Sequence, residues 1–215
     1  VDEFHHAAAP SYERVIEYFN PKFLLGITAT PDRLDNKDVY SICDGNVAIR
    51  IPFIDAIERD WLAPFRYYGV YDETDYSQIR WLGNRYDEDE LARFQLREEM
   101  AKKILEAWKL RKQSKTIGFC SSVRQANFLS NYFSGAGYNS VALSGATPRE
   151  ERINARKELE NGLLDIIFTV DLFNEGVDIP TVDTLLFIRP TESVAVFTQQ
   201  IGRGLRLADG KTHCV

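Results

Sequence analysis

Between Thr116 and Arg189 the sequence alternates short apolar runs with longer amphipathic ones: "TIGFC", "VRQANFLSNYF", "NSVALSG", "PREERINARKELEN", "LLDIIFTV" and "TVDTLLFIR". A short apolar run without polar alternation, bounded by turn residues, is a strand buried on both faces. The amphipathic stretches are long enough to be crossover helices, so the strands they join run parallel. Such a chain forms a parallel sheet covered by helices, with ligands gathering outside the carboxyl ends of its strands. Local punctuation agrees. Thr147, Pro148 and Glu150 predict a capping box, with Pro at the first helical position of "PREERINARKELEN", and Gly162 ends that helix.

Upstream, the spacing predicts one long helix over residues 87–112, with Leu91, Phe94, Ala101, Ile104, Leu105 and Trp108 as its apolar stripe. Its acidic start and basic end suit the helix dipole, and Glu98–Lys102 and Glu99–Lys103 are i,i+4 pairs. These charge runs suit solvated helix ends; a DNA-contacting role for "KLRK" is the alternative. "APSYERVIEYF" (9–19) has helical apolar spacing and is stopped by Asn20-Pro21. "KFLLGITAT" (22–30) reads as a buried strand closed by Pro31, "PFIDAIERDWL" holds a short helix, and "FRYYGVY" (65–71) reads as a strand.

The 215 residues carry 32 acidic side chains against 26 Lys and Arg, a formal net charge of −6. That argues against a protein that coats nucleic acid over its whole surface, though not against a local basic cleft. Cys43, Cys120 and Cys214 are odd in number, far apart and without CxxC spacing. Neither a disulfide framework nor a zinc site fits them, and a reducing cytosol does. No apolar run is long enough to span a membrane as a helix. The chain opens without Met on "VDEFHH" and closes on "KTHCV" within what reads as a strand, so it is expected to be a fragment.

"GRGLRLADGKT" (202–212) ends like a phosphate-cradling loop. That loop needs Gly, four residues and then Gly-Lys-Ser/Thr, so that its backbone N–H groups converge on the phosphates, and it follows a strand. Here five residues separate Gly204 from Gly210, Leu205 stands where glycine is needed, and the helical run "SVAVFTQQIGRGLR" precedes it. A small-molecule kinase cradle therefore fails on spacing and context, and Asp209-Gly210 is expected to be a turn. The arginines are more informative. Gln199, Arg203 and Arg206 sit at i, i+4 and i+7, on one face of a helix.

"VDEFHH" supplies an Asp-Glu pair of the kind a nucleotide hydrolase places at a strand end, one carboxylate for Mg²⁺ and one for the attacking water. Alone, it would pass for a surface loop. Downstream, in order, stand "GITATP" (26–31), "TIGFCSS" (116–122), "ALSGATPREER" (142–152), "FTVDLFNEGVDIP" (168–180) and "QQIGRGLR" (199–206). On these motifs, over nearly its whole length, the sequence resembles the DExH-type helicases and translocases of superfamily 2. Within them it is similar to the helicase-like motors of restriction systems, the type III restriction subunit group and its relatives.

The resemblance implies an α/β fold of two RecA-like lobes with parallel sheets, ATP between them and nucleic acid across both. Residues 1–54 would be the last portion of a truncated first lobe and residues 55–215 the second lobe. Asp2 would hold Mg²⁺ through water and Glu3 would be the catalytic base. His5 would link the hydrolysis site to the other lobe or to the threonine motif, whereas His6 lies outside the motif. Thr28 and Thr30 would couple nucleotide state to movement. Ser122, Ser144, Gly145 and Thr169 match contacts to the nucleic-acid backbone, and Gly176 and Asp178 match nucleotide contacts. Gln199, Arg203 and Arg206 would be the finger end of the ATP site, the guanidiniums stabilising transition-state charge as the lobes close.

No Gly-x-x-x-x-Gly-Lys-Ser/Thr cradle occurs in these residues, so the chain alone is expected not to hydrolyse ATP. The expected track is nucleic acid, double-stranded DNA first, in restriction or phage defence. A nuclease or recognition domain or subunit would lie outside these residues. The alternative is a RecA-like module that binds nucleic acid or protein without turnover; intact Glu3, Arg203 and Arg206 argue against it.

Overall fold

The computed structural model describes residues 1–30, 39–83, 86–170, 179–189 and 194–215, the side chain of Ala195 excepted. Its helices are α1 (Pro10–Phe19), α2 (Phe53–Glu58), α3 (Glu88–Gln95), α4 (Glu98–Arg111), α5 (Val123–Gly135), α6 (Arg149–Glu160) and α7 (Val194–Gly204). Four strands, β1 (Thr116–Phe119), β2 (Ser140–Leu143), β3 (Ile166–Thr169) and β4 (Thr184–Phe187), form a parallel sheet in the order β2-β3-β1-β4. This is the parallel α/β sheet that the alternation dictates.

Successive residues of the central strands face opposite cores. Ile117, Phe119 and Ile167 pack with Ala155 and Leu159 of α6 and with Ile201 and Leu205 at the end of α7. Ile166 and Phe168 pack on the other side with Ala101, Leu105 and Trp108 of α4 and Ala126, Leu129 and Phe133 of α5. Gly118, paired with Phe168, leaves room for its ring; a Cβ there would stand 2.8 Å from Phe168 Cδ1. The Trp108 indole N–H, fully enclosed, donates to Thr116 Oγ1 at 2.8 Å. Burial of this indole therefore leaves no unmet donor.

Several local expectations need correction. The predicted helix over 87–112 is two helices, broken at Leu96 and Arg97. Arg97 is extended (φ −88°, ψ 141°), its Nε donates to the Arg93 carbonyl, and its guanidinium lies 4.7 Å from the centre of the Phe94 ring. Packing overrides propensity here. The break lets α3 bury Leu91, Ala92 and Gln95 while α4 buries a separate stripe. The capping box at Thr147 does not form either. Thr147 Oγ1 accepts from Ser144 N at 2.9 Å, and α6 starts at Arg149 without a side-chain cap. In "FRYYGVY" only Phe65 bridges, to Cys214, with Arg66 N donating to the Cys214 carbonyl.

The first residues form a cluster of their own, Phe4, Ala7, Ala8 and Val39, with Leu24, Ile42 and Cys43 against it. The "KFLLGITAT" segment is not a regular strand, yet it is laddered. Ile27 N donates to the Val1 carbonyl and Phe4 N to the Ile27 carbonyl, both at 2.9 Å. Gly26 lies directly beneath the Phe4 ring, where any side chain would collide with it. Phe23 and Ile27, by contrast, face outward, 79% and 60% exposed, so this apolar segment is covered on one side only. Among the described residues no helix is long and apolar enough to cross a membrane. The three cysteines are free.

Asp183 fastens the lower edge of the sheet. Its carboxylate accepts from the backbone N–H groups of Ser114 and Lys115 and from the hydroxyls of Ser114 and Thr184. Truncating it would remove the shared acceptor of those donors at a partly buried edge of the sheet. Asp183→Ala is expected to destabilise the fold by about 3 kcal/mol, measured by chemical denaturation, with Asp183→Asn losing less.

Candidate functional site

The amino-terminal carboxylates stand on a tight turn. Asp2 is exposed, and its Oδ1 accepts from Glu3 N at 2.9 Å. Glu3 is half-buried and adopts the left-handed region (φ 47°, ψ 47°), which turns the chain into the short 3₁₀ segment Phe4–His6. Residues other than Gly, Asn and Asp rarely rest there. His5 is buried, its Nδ1 3.4 Å from Glu3 Oε2 and 3.0 Å from Thr28 Oγ1. Thr28 Oγ1 in turn accepts from Thr30 N at 3.1 Å. Glu3, His5, Thr28 and Thr30 thus form one continuous polar path between two segments more than twenty residues apart. Thr30 Oγ1 is buried and has no hydrogen-bond partner among the described residues.

No group of three or more His, Cys, Asp or Glu side chains that could cage a metal occurs among the described residues. Mg²⁺ in nucleotide sites needs no cage. It keeps several waters and is held by one or two carboxylates together with phosphate oxygens. Asp2, exposed and with one carboxylate oxygen already oriented by a backbone N–H, fits that demand.

A second set sits at the carboxyl ends of the strands, where helix N-termini and loop N–H groups gather. Ser122 follows β1 and caps α5, its Oγ accepting from Gln125 N at 3.2 Å. Gln125 Oε1 accepts from Ser121 N, and Ser121 Oγ donates to Gln95 Oε1. This is a capping-box pattern, Ser-x-x-Gln, displaced by one residue at its return bond. The "SSVRQ" stretch carried that signal, and it marks Ser121, Gln125 and Gln95 as the support of the turn. Ser144 and Gly145 follow β2 in a turn closed by Thr147 N donating to the Ser144 carbonyl. Gly145 is exposed, with nothing near where a Cβ would stand. A groove of about 560 Å³ opens beside Ser144 and Thr147, between α5 and α6. Thr169 ends β3 and is fully buried, its Oγ1 without a hydrogen-bond partner among the described residues. Gly176 and Asp178 lie outside the described residues.

The third set is on α7 and just beyond it. Gln199 and Arg203 are half-exposed on the helix, while Gln200, Ile201 and Leu205 turn inward. The helix ends at Gly204, so Arg206 is not on the helical face that its spacing suggested. The end is fixed by a close approach: a Cβ on Gly204 would meet Cys214 Sγ and stand 2.9 Å from Leu185 Cδ1. Ala63 N donates to the Leu205 carbonyl at 2.7 Å. The chain then turns through Asp209 and Gly210 (φ +77°), with Lys211 N donating to the Ala208 carbonyl. Lys211, the lysine of "GKT", therefore returns to protein carbonyls rather than to a phosphate cradle: its Nζ donates to Arg206 O and Pro180 O. Burial lowers the Lys211 pKa from its ordinary value, against the opposing effect of Cys214 and Asp183. Burial likewise pushes the Cys214 thiol up to about 11.

Comparison with known proteins gives this arrangement a family. Residues 97–208 match the helicase conserved C-terminal domain, and residues 1–33 match the type III restriction enzyme res subunit. The IRC3 protein of Saccharomyces cerevisiae, named an ATP-dependent helicase, is 29% identical over 224 residues, covering all of this chain and 32% of that protein. Its Schizosaccharomyces pombe namesake, named a mitochondrial ATP-dependent helicase, is 32% identical over 222 residues, again over the whole chain and 36% of the relative. The chain thus spans about a third of the length of these two relatives. Among solved structures, a fragment assigned to the HsdR subunit of a type I restriction enzyme from Vibrio vulnificus superposes with a TM-score of 0.77 at 25% identity. It covers 95% of this chain and 41% of that one. The chain belongs to the superfamily 2 helicases related to restriction-enzyme motors, with the helicase conserved C-terminal domain as its larger part.

Proposed function

We propose that the protein to which these residues belong is an ATP-dependent motor that moves on nucleic acid, with Asp2–Glu3 and the arginines of α7 as two sides of one ATP site. The observation that carries it is the polar path from Glu3 through His5 to Thr28 and Thr30. A hydrolytic base has no need of such a path, whereas a motor must make hydrolysis felt elsewhere. Residues 1–54 are proposed as the end of a first lobe and residues 55–215 as the second.

Glu3 would take the proton of the attacking water, its carboxylate kept in place by the turn at Glu3 and by His5 at 3.4 Å. Mg²⁺ bound with ATP supplies charge neutralisation at the phosphate oxygens, and Asp2 would hold its water shell. Arg203 and Arg206, with Gln199 beside them, would reach the γ-phosphate as the two lobes close. Their charge counts in the transition state and only in the closed form, which ties turnover to movement. Gly176 and Asp178 complete the proposal on the nucleotide side. Ser122, Ser144, Gly145 and Thr169 would face the nucleic-acid backbone. Contacts of that kind position a strand without reading its sequence.

Double-stranded DNA as the track, and restriction or phage defence as the setting, rest on the similarity to restriction subunits. In the full-length protein, ATP hydrolysis is expected to rise with duplex DNA more than with single-stranded DNA or RNA. Arg203→Ala is expected to lower that rate by about 10³-fold. A rate indifferent to every nucleic acid, in folded protein, would favour the silent binding module instead. The 215 residues alone are expected to show no ATP turnover; a rate that Glu3→Gln abolishes would refute this.

Ser122 offers a separate test, because it both caps α5 and is proposed to face phosphate. Ser122→Ala is expected to cost about 1 kcal/mol of stability, whereas Ser122→Asp keeps the cap. The aspartate should nevertheless weaken nucleic-acid binding by repelling phosphate, read by comparing melting with fluorescence anisotropy. Equal affinity in Ser122→Asp and wild type would remove Ser122 from the track.

A further inference from the structure

Arg206 lies past the end of α7, so the helix alone does not fix where its guanidinium points. Two bonds fix the backbone that carries it. Leu205 O accepts from Ala63 N, and Arg206 O accepts from the ammonium of Lys211 at 2.8 Å. The same ammonium donates to Pro180 O at 3.1 Å. Pro180 closes the "NEGVDIP" stretch, two residues after Asp178. One side chain therefore joins the backbone of one proposed finger to Pro180. The turn at Gly210 gives Lys211 its return path.

We propose that Lys211 is a positioning residue of the ATP site, holding the backbone of Arg206 against Pro180. The inference rests on the ATP-site assignment of Arg203 and Arg206 made above. The lysine is attractive for this because it is not placed for its own comfort. Burial disfavours its charge, and the neighbouring titratable groups, Asp183 and Cys214, only partly offset that. Its proton can therefore be lost below the ordinary lysine value of about 10.4, which weakens both bonds to carbonyls.

The sign of the linkage separates positioning from simple support. The folded-state pKa is lowered, so the unfolded chain binds this proton more tightly. The contribution of Lys211 to stability therefore rises as pH passes upward between its folded and unfolded values. The rate should fall in that same window. A lysine acting only on stability would leave the rate of the folded protein unchanged in that window.

In the full-length protein, nucleic-acid-stimulated ATP hydrolysis should lose about 10-fold in kcat in Lys211→Met, with KM for ATP changed less than about 2-fold. Lys211→Arg, which stays protonated, should restore the rate at neutral pH and remove the alkaline fall seen in wild type. If Lys211→Met fails to fold, the pH comparison between wild type and Lys211→Arg decides the matter. A wild-type kcat in Lys211→Met, beside a lost rate in Arg203→Ala, would overturn the role of Lys211 alone. So would an alkaline fall in Lys211→Arg equal to that of wild type. Undiminished hydrolysis in Arg203→Ala would overturn the ATP-site assignment and this inference with it.

Discussion

Everything in the larger part of this molecule depends on a sheet whose central strands, β1 and β3, have no solvent face. Ile166, Ile167 and Phe168 are consecutive, fully buried and sent alternately into two cores. Each such side chain gains about 1.5–3 kcal/mol from leaving water. A strand of this kind must have helices on both sides, and the helices must arrive by crossovers that start at one end of the sheet. Hence loops and helix N-termini collect at the carboxyl ends of the strands, beside Ser122, Ser144 and Thr169. The position of the candidate site follows from burial.

That logic was legible in the sequence, because an unbroken apolar run is a strong signal and so is the spacing between such runs. What escaped was decided by tertiary contact. Residues 87–112 have one continuous helical pattern, yet α3 and α4 bury different stripes, and the chain bends at Arg97 to allow it. "FRYYGVY" has the composition of a strand but finds only Cys214 to bridge with. Thr147 had every attribute of a capping residue, and its hydroxyl went to Ser144 N because the turn after β2 offered a nearer donor.

The site shows the same division. Asp2, Glu3, His5, Thr28 and Thr30 could be named from motif order, but the hydrogen bonds from His5 to Thr28 and on to Thr30 N, with Glu3 3.4 Å from His5, are facts of three dimensions. Arg203 and Arg206 were assigned to one helical face, but the close packing of Gly204 against Leu185 and Cys214 ends the helix between them. Lys211 is the clearest case. Its sequence context invited a phosphate-binding role, the spacing refused it, and the carbonyls of Arg206 and Pro180 gave it another. No pattern in one sequence could have named those two acceptors, since carbonyls belong to every residue.

The left-handed backbone at Glu3 sets stability against chemistry at a single position. A side chain with a Cβ pays about 1–2 kcal/mol to rest there, while Gly rests there freely. Selection for thermal resistance alone would replace this glutamate, and each such gain would remove a carboxylate proposed to act on water. A glycine at this position would ease the backbone where the proposed chemistry needs its carboxylate.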